Sequence, residues 1–335
     1  MVQQLQQLPA AALSYSADQR AEIQAAIAAV SRLWRRMGSD FDASYARIEP
    51  SLLAVLFSAQ ERVADGALAY VPAALGDAAP EPIYQSAGSR FVGVAGDGLP
   101  VASMAYGAVI HAKQAVAAGL EQGAALARAG QFLNLASGTM LSDTGRAAEK
   151  VSGGAHRVRH YVRMLNPPSC GRCVVLAGKT SKHSEAFNRH PGCDCRNVPA
   201  AENTGDDART DPHAYLPGLS EAEQDRVLGS KANGQAFRDG ADMNQLINAY
   251  RKSGAVRPAQ INGVNIKYTR EGTTRRGHAY WQMSQAQYIK EQGVFKAGSK
   301  YMRLKSPRLM PESIYSIAKD QEDAKRLLKL YGWVV

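Results

Sequence analysis

Apolar residues at Ile23, Ile27, Val30, Trp34 and Met37 recur at steps of four, three, four and three. That period is one stripe of an amphipathic helix. The run Ser16-Ala-Asp-Gln19 predicts its start as a capping box, and Gly38-Ser-Asp its end. A second helix is expected from about Pro50, a residue suited to a first turn, and carries Leu53, Leu56, Val63 and Leu68. Residues 75–98 hold Gly, Pro and Asp without period and read as a connection. Two alanine-rich helices follow, near 101–128 and 130–150, where Gly107, Gly119 and Gly123 allow close helix contacts.

Past position 155 the texture changes. His160–Leu165 predicts a short strand, the apolar run Cys173–Gly178 follows, and Cys195–Val198 predicts a third short strand. Residues 201–213 are polar and acidic and read as a loop. Ser220-Glu-Ala-Glu caps a helix through about Leu228, and another runs from Lys231 to Arg251 with a break near Asp239-Gly240. From 255 onward the pattern is loop and short strand, with Ile261–Tyr268 alternating loosely. Pro311 opens a final helix with Ile314, Ile317, Ala318, Ala324, Leu327, Leu328 and Tyr331 on its apolar face. Glu312 in its first turn, and Lys325, Arg326 and Lys329 in its last, suit the helix dipole.

Composition agrees with a helical reading. The 335 residues are 45% hydrophobic but only 7% aromatic, and alanine is abundant. The expected fold class is mainly α with a small α+β zinc-stapled central unit, in a multi-domain chain. The expected division is 1–150, helical and assembly-contacting, then 151–254 around the cysteines, then 255–335, basic and ending in a helix. The longest apolar run, Leu52–Phe57, is too short to span a bilayer. The N-terminal residues lack the basic start of a secretory signal, so synthesis in the cytoplasm is expected.

Charge is concentrated. Forty Lys and Arg against thirty Asp and Glu give +10 overall, yet Arg251–Arg308 alone holds thirteen basic residues and two acidic ones, a net +11. An excess confined to one segment points to a polyanion partner there. Double-stranded DNA, bound without sequence preference, is the specific candidate, because neutralising phosphates needs little beyond Lys and Arg. Arg275, Arg276, Lys300, Arg303, Lys305 and Arg308 are the candidate contacts. Tyr268, Tyr280, Trp281, Tyr288 and Tyr301 lie among them, and they can stack on bases or pack a small core.

The four cysteines are concentrated too: Cys170, Cys173, Cys193 and Cys195 form C-x2-C, nineteen residues, then C-x-C. Two close pairs separated by a loop suit a tetrahedral thiolate site. His190 precedes the second pair and could replace one thiol. With up to five candidate ligands the site reads as closed, structural zinc. Disulfides would need an oxidising compartment. A reactive-thiol or packed cluster is the remaining alternative.

The segments YVRMLNPPSCGRCVVLAG (161–178) and FNRHPGCDCR (187–196) together resemble the Mu F-like minor head proteins of tailed bacteriophages, above all those of actinobacterial phages. TMLSDTG (139–145), AFRDGAD (236–242) and the ending from Pro311 to Gly332 share that character, so the resemblance runs over about 135–335. Asp194 stands where the family's H-P-x-C-R-C block has arginine, which changes local charge but not the ligand set. The resemblance implies a virion component inside the capsid near the portal, assembled in the host cytoplasm, that aids head assembly and DNA packaging or delivery. Its implied partners are the portal protein and the major capsid or scaffold protein, with no membrane.

Relatives of this kind are often labelled capsid maturation proteases, so proteolysis of coat or scaffold protein is the alternative. No GxSxG and no HExxH occurs, and of the nucleophile candidates Ser137 and Ser152 are merely serines beside glycine. An enzymatic role is therefore left open, with a structural role preferred.

Overall fold

The computed structural model describes residues 10–165, 169–177, 180–184, 196–200, 215–250, 254–261, 263–274, 293–295 and 301–334. The chain is mainly helical with two small antiparallel sheets. It divides into two compact units, one of 4–167 with 177–210, the other of 168–176 with 211–335.

The first unit is built on four helices: α1 (Ala10–Trp34), α2 (Phe41–Leu75), α3 (Val101–Ala117) and α4 (Gln122–Ala155). Asp40 caps α2 by accepting from Ala43 N at 2.9 Å, and Glu121 caps α4 by accepting from Gly123 N at 3.0 Å. Along α2, Tyr45, Ile48, Leu52, Leu56, Ala59, Val63, Ala67 and Tyr70 form a buried stripe at helical spacing. It meets alanines of α3 and Leu133, Met140 and Leu141 of α4. Truncating one of the fully buried leucines would cost about 2–5 kcal/mol.

The ends of these helices differ from those read in the sequence. α1 starts six residues before Ser16, which is buried within the helix. Gln19 does not close a capping box; its amide donates to the Tyr15 hydroxyl at 2.8 Å. α2 starts nine residues before Pro50, which sits mid-helix on the exposed side, where water can serve the Ala46 carbonyl that proline leaves without a donor. α3 ends earlier than expected because Gly119 turns the chain at φ 90°, and α4 runs on to Ala155.

A three-stranded sheet completes this unit. β1 (His160–Met164) lies between β2 (Thr180–Lys182) and β3 (Arg196–Ala200), antiparallel to both. Val162 pairs with Thr180 on one side and Val198 on the other. Tyr161, Val162, Met164 and Val198 pack with Ala12, Tyr15, Ala64, Ala67 and Tyr70 in a second apolar cluster. There the rings of Tyr15 and Tyr70 stack with centroids 4.4 Å apart, and the Tyr70 hydroxyl donates to the Asn197 carbonyl at 3.2 Å.

The second unit starts with α5 (Gly171–Leu176), so the apolar run after the first cysteine pair is helical. Then come α6 (Glu221–Leu228), α7 (Lys231–Arg238) and α8 (Met243–Asn248). The expected cap at Ser220 is present: the Glu223 carboxylate accepts from Ser220 N at 3.1 Å and from its hydroxyl at 2.7 Å. These bonds hold the Glu223 carboxyl below its ordinary pKa. The break near Asp239-Gly240 is also present, with Gly240 at φ 97° and Asp242 capping α8 through Gln245 N at 2.8 Å.

A four-stranded antiparallel sheet follows, in the order β4-β5-β7-β6, from β4 (Val256–Ile261), β5 (Val264–Thr274), β6 (Gly293–Phe295) and β7 (Tyr301–Leu309). Pro258 lies on the edge strand β4, and Pro307 lies where the β5–β7 register shifts between Thr269 and Glu271. The expected single terminal helix is two: α9 (Pro311–Ile317) and α10 (Gln321–Leu330). Ala318 is extended and Asp320 caps α10 by accepting from Asp323 N at 2.8 Å, so the polar Lys319-Asp320 starts a second helix.

Candidate metal site and basic sheet

Cys170 and Cys173 sit on the turn into α5 with their sulfurs 3.3 Å apart; Cys170 is exposed and Cys173 is buried. The turn is anchored on three sides. Val174 N donates to the Cys170 carbonyl at 3.0 Å. Arg172 Nη2 donates to the Tyr250 carbonyl at 2.9 Å. Gly171 lies against the Val227 carbonyl and the Ile247 side chain, so a Cβ there would strike backbone.

Tetrahedral zinc with sulfur ligands at about 2.3 Å sets those sulfurs about 3.8 Å apart. A pair 3.3 Å apart needs a small rotamer change to meet that spacing, so Cys170 and Cys173 fit half of a thiolate donor set. The other expected ligands, Cys193, Cys195 and His190, lie outside the described residues. Among the described residues no group of three or more His, Cys, Asp and Glu comes together.

The basic segment divides in the same way. Arg275, Arg276 and Lys300 lie outside the described residues, as do Tyr280, Trp281 and Tyr288. Arg303 and Lys305 are on β7, where the backbone of Arg303 pairs with Glu271 of β5 and with Val294 of β6. Arg257, Lys267 and Arg270 add exposed cations from β4 and β5, and Lys267 meets Glu312 at 3.7 Å.

Arg308 is a correction. Expected to contact DNA, it is 1% exposed. Its Nε donates to the Tyr331 carbonyl at 2.6 Å, Nη2 to the Gly332 carbonyl at 2.6 Å, and Nη1 to Gln245 Oε1 at 3.0 Å. Its guanidinium carbon lies 3.6 Å from the centroid of Trp333. The carbonyls left without donors at the end of α10 recruit this arginine, and the indole covers it. A phosphate cannot reach it there.

The serines offered for proteolysis are structural. Ser137 is fully buried in α4, and Ser152 is buried and donates to the Leu68 carbonyl at 2.9 Å. Neither hydroxyl is hydrogen-bonded to a histidine among the described residues. His111 is exposed and stacks on Phe132, and His156 Nδ1 lies 2.7 Å from the Pro80 carbonyl.

Sequence reading missed a buried polar network in the helical unit. The Tyr15 hydroxyl donates to the Glu149 carboxylate at 2.8 Å, tying α1 to α4 across 134 positions. Nearby, the Tyr161 hydroxyl lies 3.2 Å from His183 Nδ1, and Gly153 makes room for that hydroxyl. Burial first, then the Glu149 charge, pushes the Tyr161 phenol well above its ordinary pKa, and burial with the Lys150 charge pushes His183 below its own. The glycines of S-G-G at 152–154 were the visible signal, since side chains approach α4 where it has none. No helix among the described residues is long and apolar enough to cross a membrane. Comparison with protein-family models, curated proteins and solved structures finds no match to this chain.

Proposed function

We propose that this chain is a minor head protein of a tailed bacteriophage, held inside the capsid near the portal, that aids head assembly and DNA packaging or delivery. The observation that carries the reading is the cysteine block. Its C-x2-C pair stands on an anchored turn with the sulfurs in contact, and it belongs to the stretch in which the Mu F-like resemblance is most specific. Cys170, Cys173, Cys195 and either Cys193 or His190 would hold a structural zinc ion. Bound there, zinc would join two chain segments and supply folding free energy, as it does in small units with thin cores. From the basic segment, Arg275, Arg276, Lys300, Arg303 and Lys305 would contact DNA phosphates. Portal and coat or scaffold proteins would be the assembly partners.

The proteolytic alternative gains nothing from Ser137 or Ser152, which are packed inside a helix. Mass spectrometry of purified heads tests the assembly reading: this chain should be incorporated and the coat protein should remain untrimmed on its account. Heads that lack the chain would overturn it, and so would coat cleavage that is abolished by one histidine or serine substitution. The DNA part is tested by gel shift at several salt concentrations. About five phosphate contacts give a log–log slope of roughly −4 to −5. Replacing Arg275, Arg276, Arg303 and Lys305 by alanine should flatten it by a few units. Absence of any shift at low salt would refute DNA binding.

A further inference from the structure

The geometry points to a second use for Cys170 and Cys173: they form a redox-active dithiol that closes reversibly to a disulfide when it meets a small-molecule disulfide. The inference stands on the geometry of this pair and does not depend on zinc binding.

Three features carry it. The sulfurs are 3.3 Å apart, so closure to a bond of about 2.05 Å needs an approach of about 1.2 Å, which rotation about two Cα–Cβ bonds supplies. The two thiols differ in access, Cys170 exposed and Cys173 3% exposed. That asymmetry gives the pair one thiol for the outside reagent and one that reacts only within the chain. The residues between them are fixed, Gly171 against the Val227 carbonyl and Ile247, and Arg172 on the Tyr250 carbonyl. The backbone therefore holds the two cysteines side by side.

The reaction balances with a disulfide such as oxidised glutathione as the oxidant. Cys170 Sγ, its proton lost to water, attacks one sulfur of that disulfide; the S–S bond breaks and one thiol leaves with a proton. Cys173 Sγ then attacks Cys170 Sγ, the mixed disulfide breaks and the second thiol leaves. The protein pair gives up two electrons and two protons, and the small disulfide becomes two thiols. Sulfurs bonded to each other make poor metal ligands, so in a zinc-loaded chain closure would release the ion.

The test uses the full chain, reduced and then incubated with oxidised glutathione, with quenched alkylation and mass mapping. Zinc content is measured before and after. One disulfide joining Cys170 to Cys173, reversed by reduced glutathione, is expected. Cys173→Ser should stall as a mixed disulfide at Cys170. Cys170→Ser should form its adduct at Cys173 at least about tenfold more slowly. A wild-type chain in which Cys170 and Cys173 stay reduced, or join only other cysteines, overturns the inference. If that chain carries zinc throughout, the metal reading survives the failure. If the pair closes in a chain that never binds zinc, the dithiol stands and the metal reading falls.

Discussion

Replacing Arg308 separates two accounts of the basic segment, because burial and surface contact predict opposite outcomes. In the structure its guanidinium serves the carbonyls of Tyr331 and Gly332 and the Gln245 amide, under the Trp333 ring. Hydrogen bonds from a charged group are each worth about 1.5–3 kcal/mol net, and a desolvated cation–π contact about 2 kcal/mol. These terms do not add, since burying the charge already costs several kcal/mol. Arg308→Ala removes the charge with its bonds, strands the carbonyls and opens a cavity beside Trp333. A loss of about 3–5 kcal/mol is expected. Arg308→Lys keeps the charge but not the fork, so it should lose about half as much.

Because the chain has two units, a single melting curve is a poor measure. Hydrogen exchange resolves the effect by segment. Amides of Trp333, which donates to the Leu328 carbonyl, and of Asp242, which donates to the Trp333 carbonyl, report directly on this packing. A loss of 3 kcal/mol or more in local opening speeds their exchange by about a hundredfold or more, while amides of α2 and α4 keep their rates. Unchanged exchange at 241–250 and 321–334, combined with a flatter salt dependence of DNA binding, would refute the buried role and return Arg308 to the surface.

Tyr15→Phe should destabilise the helical unit by about 1–3 kcal/mol, because the buried Glu149 carboxylate loses a donor and Gln19 its acceptor; hydrogen exchange of α1 and α4 amides in the full chain measures it, and no change would mean the bond is idle. Gly171→Ala should cost about 1–3 kcal/mol and loosen the cysteine turn, seen as faster alkylation of Cys173, since the added Cβ meets the Val227 carbonyl rather than a movable side chain. His183 has a lowered pKa in the fold, so the unfolded chain binds its proton more readily. Its contribution is therefore full above the ordinary value near 6.5 and is lost as pH falls below it. His183→Phe should flatten that part of the stability–pH curve, and an unaltered curve would place the titration elsewhere.

Helix identity was legible in this chain from apolar spacing and alanine content, but the core was legible only in part: Leu56 and Val63 of α2 are buried as expected, whereas Leu53 and Leu68 are half-buried and Ile48 and Leu52 take the core positions. Their ends were not legible. Ser16 and Pro50 carry start signals that the structure overrides, one because the Gln19 amide is committed to the Tyr15 hydroxyl, which itself donates to Glu149, the other because an exposed proline mid-helix loses a single hydrogen bond. The short cap at Ser220 was readable for the opposite reason: a helix of eight residues has little packing to override a cap. The four-stranded sheet was mostly hidden, since among its described side chains the exposed ones are mostly polar and Ile266 is the buried hydrophobic. Of the candidate site, C-x2-C spacing announced a sulfur pair, and the structure added which thiol faces solvent.

Counting charge along a sequence treats every arginine as surface, and Arg308 shows where that fails. Without it the window 251–308 holds twelve basic residues against two acidic ones, +10. Lys267 is partly answered by Glu312, which lies beyond the window. Of the cations left in the window, exposed Arg257 and Arg270 lie on β4 and β5, and Arg303 and Lys305 lie on β7. Glu271 pairs in register with Arg303, so even there one acidic residue sits within the basic strand pair. With about five of the remaining cations on phosphates, the expected salt slope is roughly −4 to −5, and not near −10 as it would be if all thirteen took part. The same reasoning makes Arg308 the internal control: its substitution by lysine should weaken the fold and leave that slope where it was.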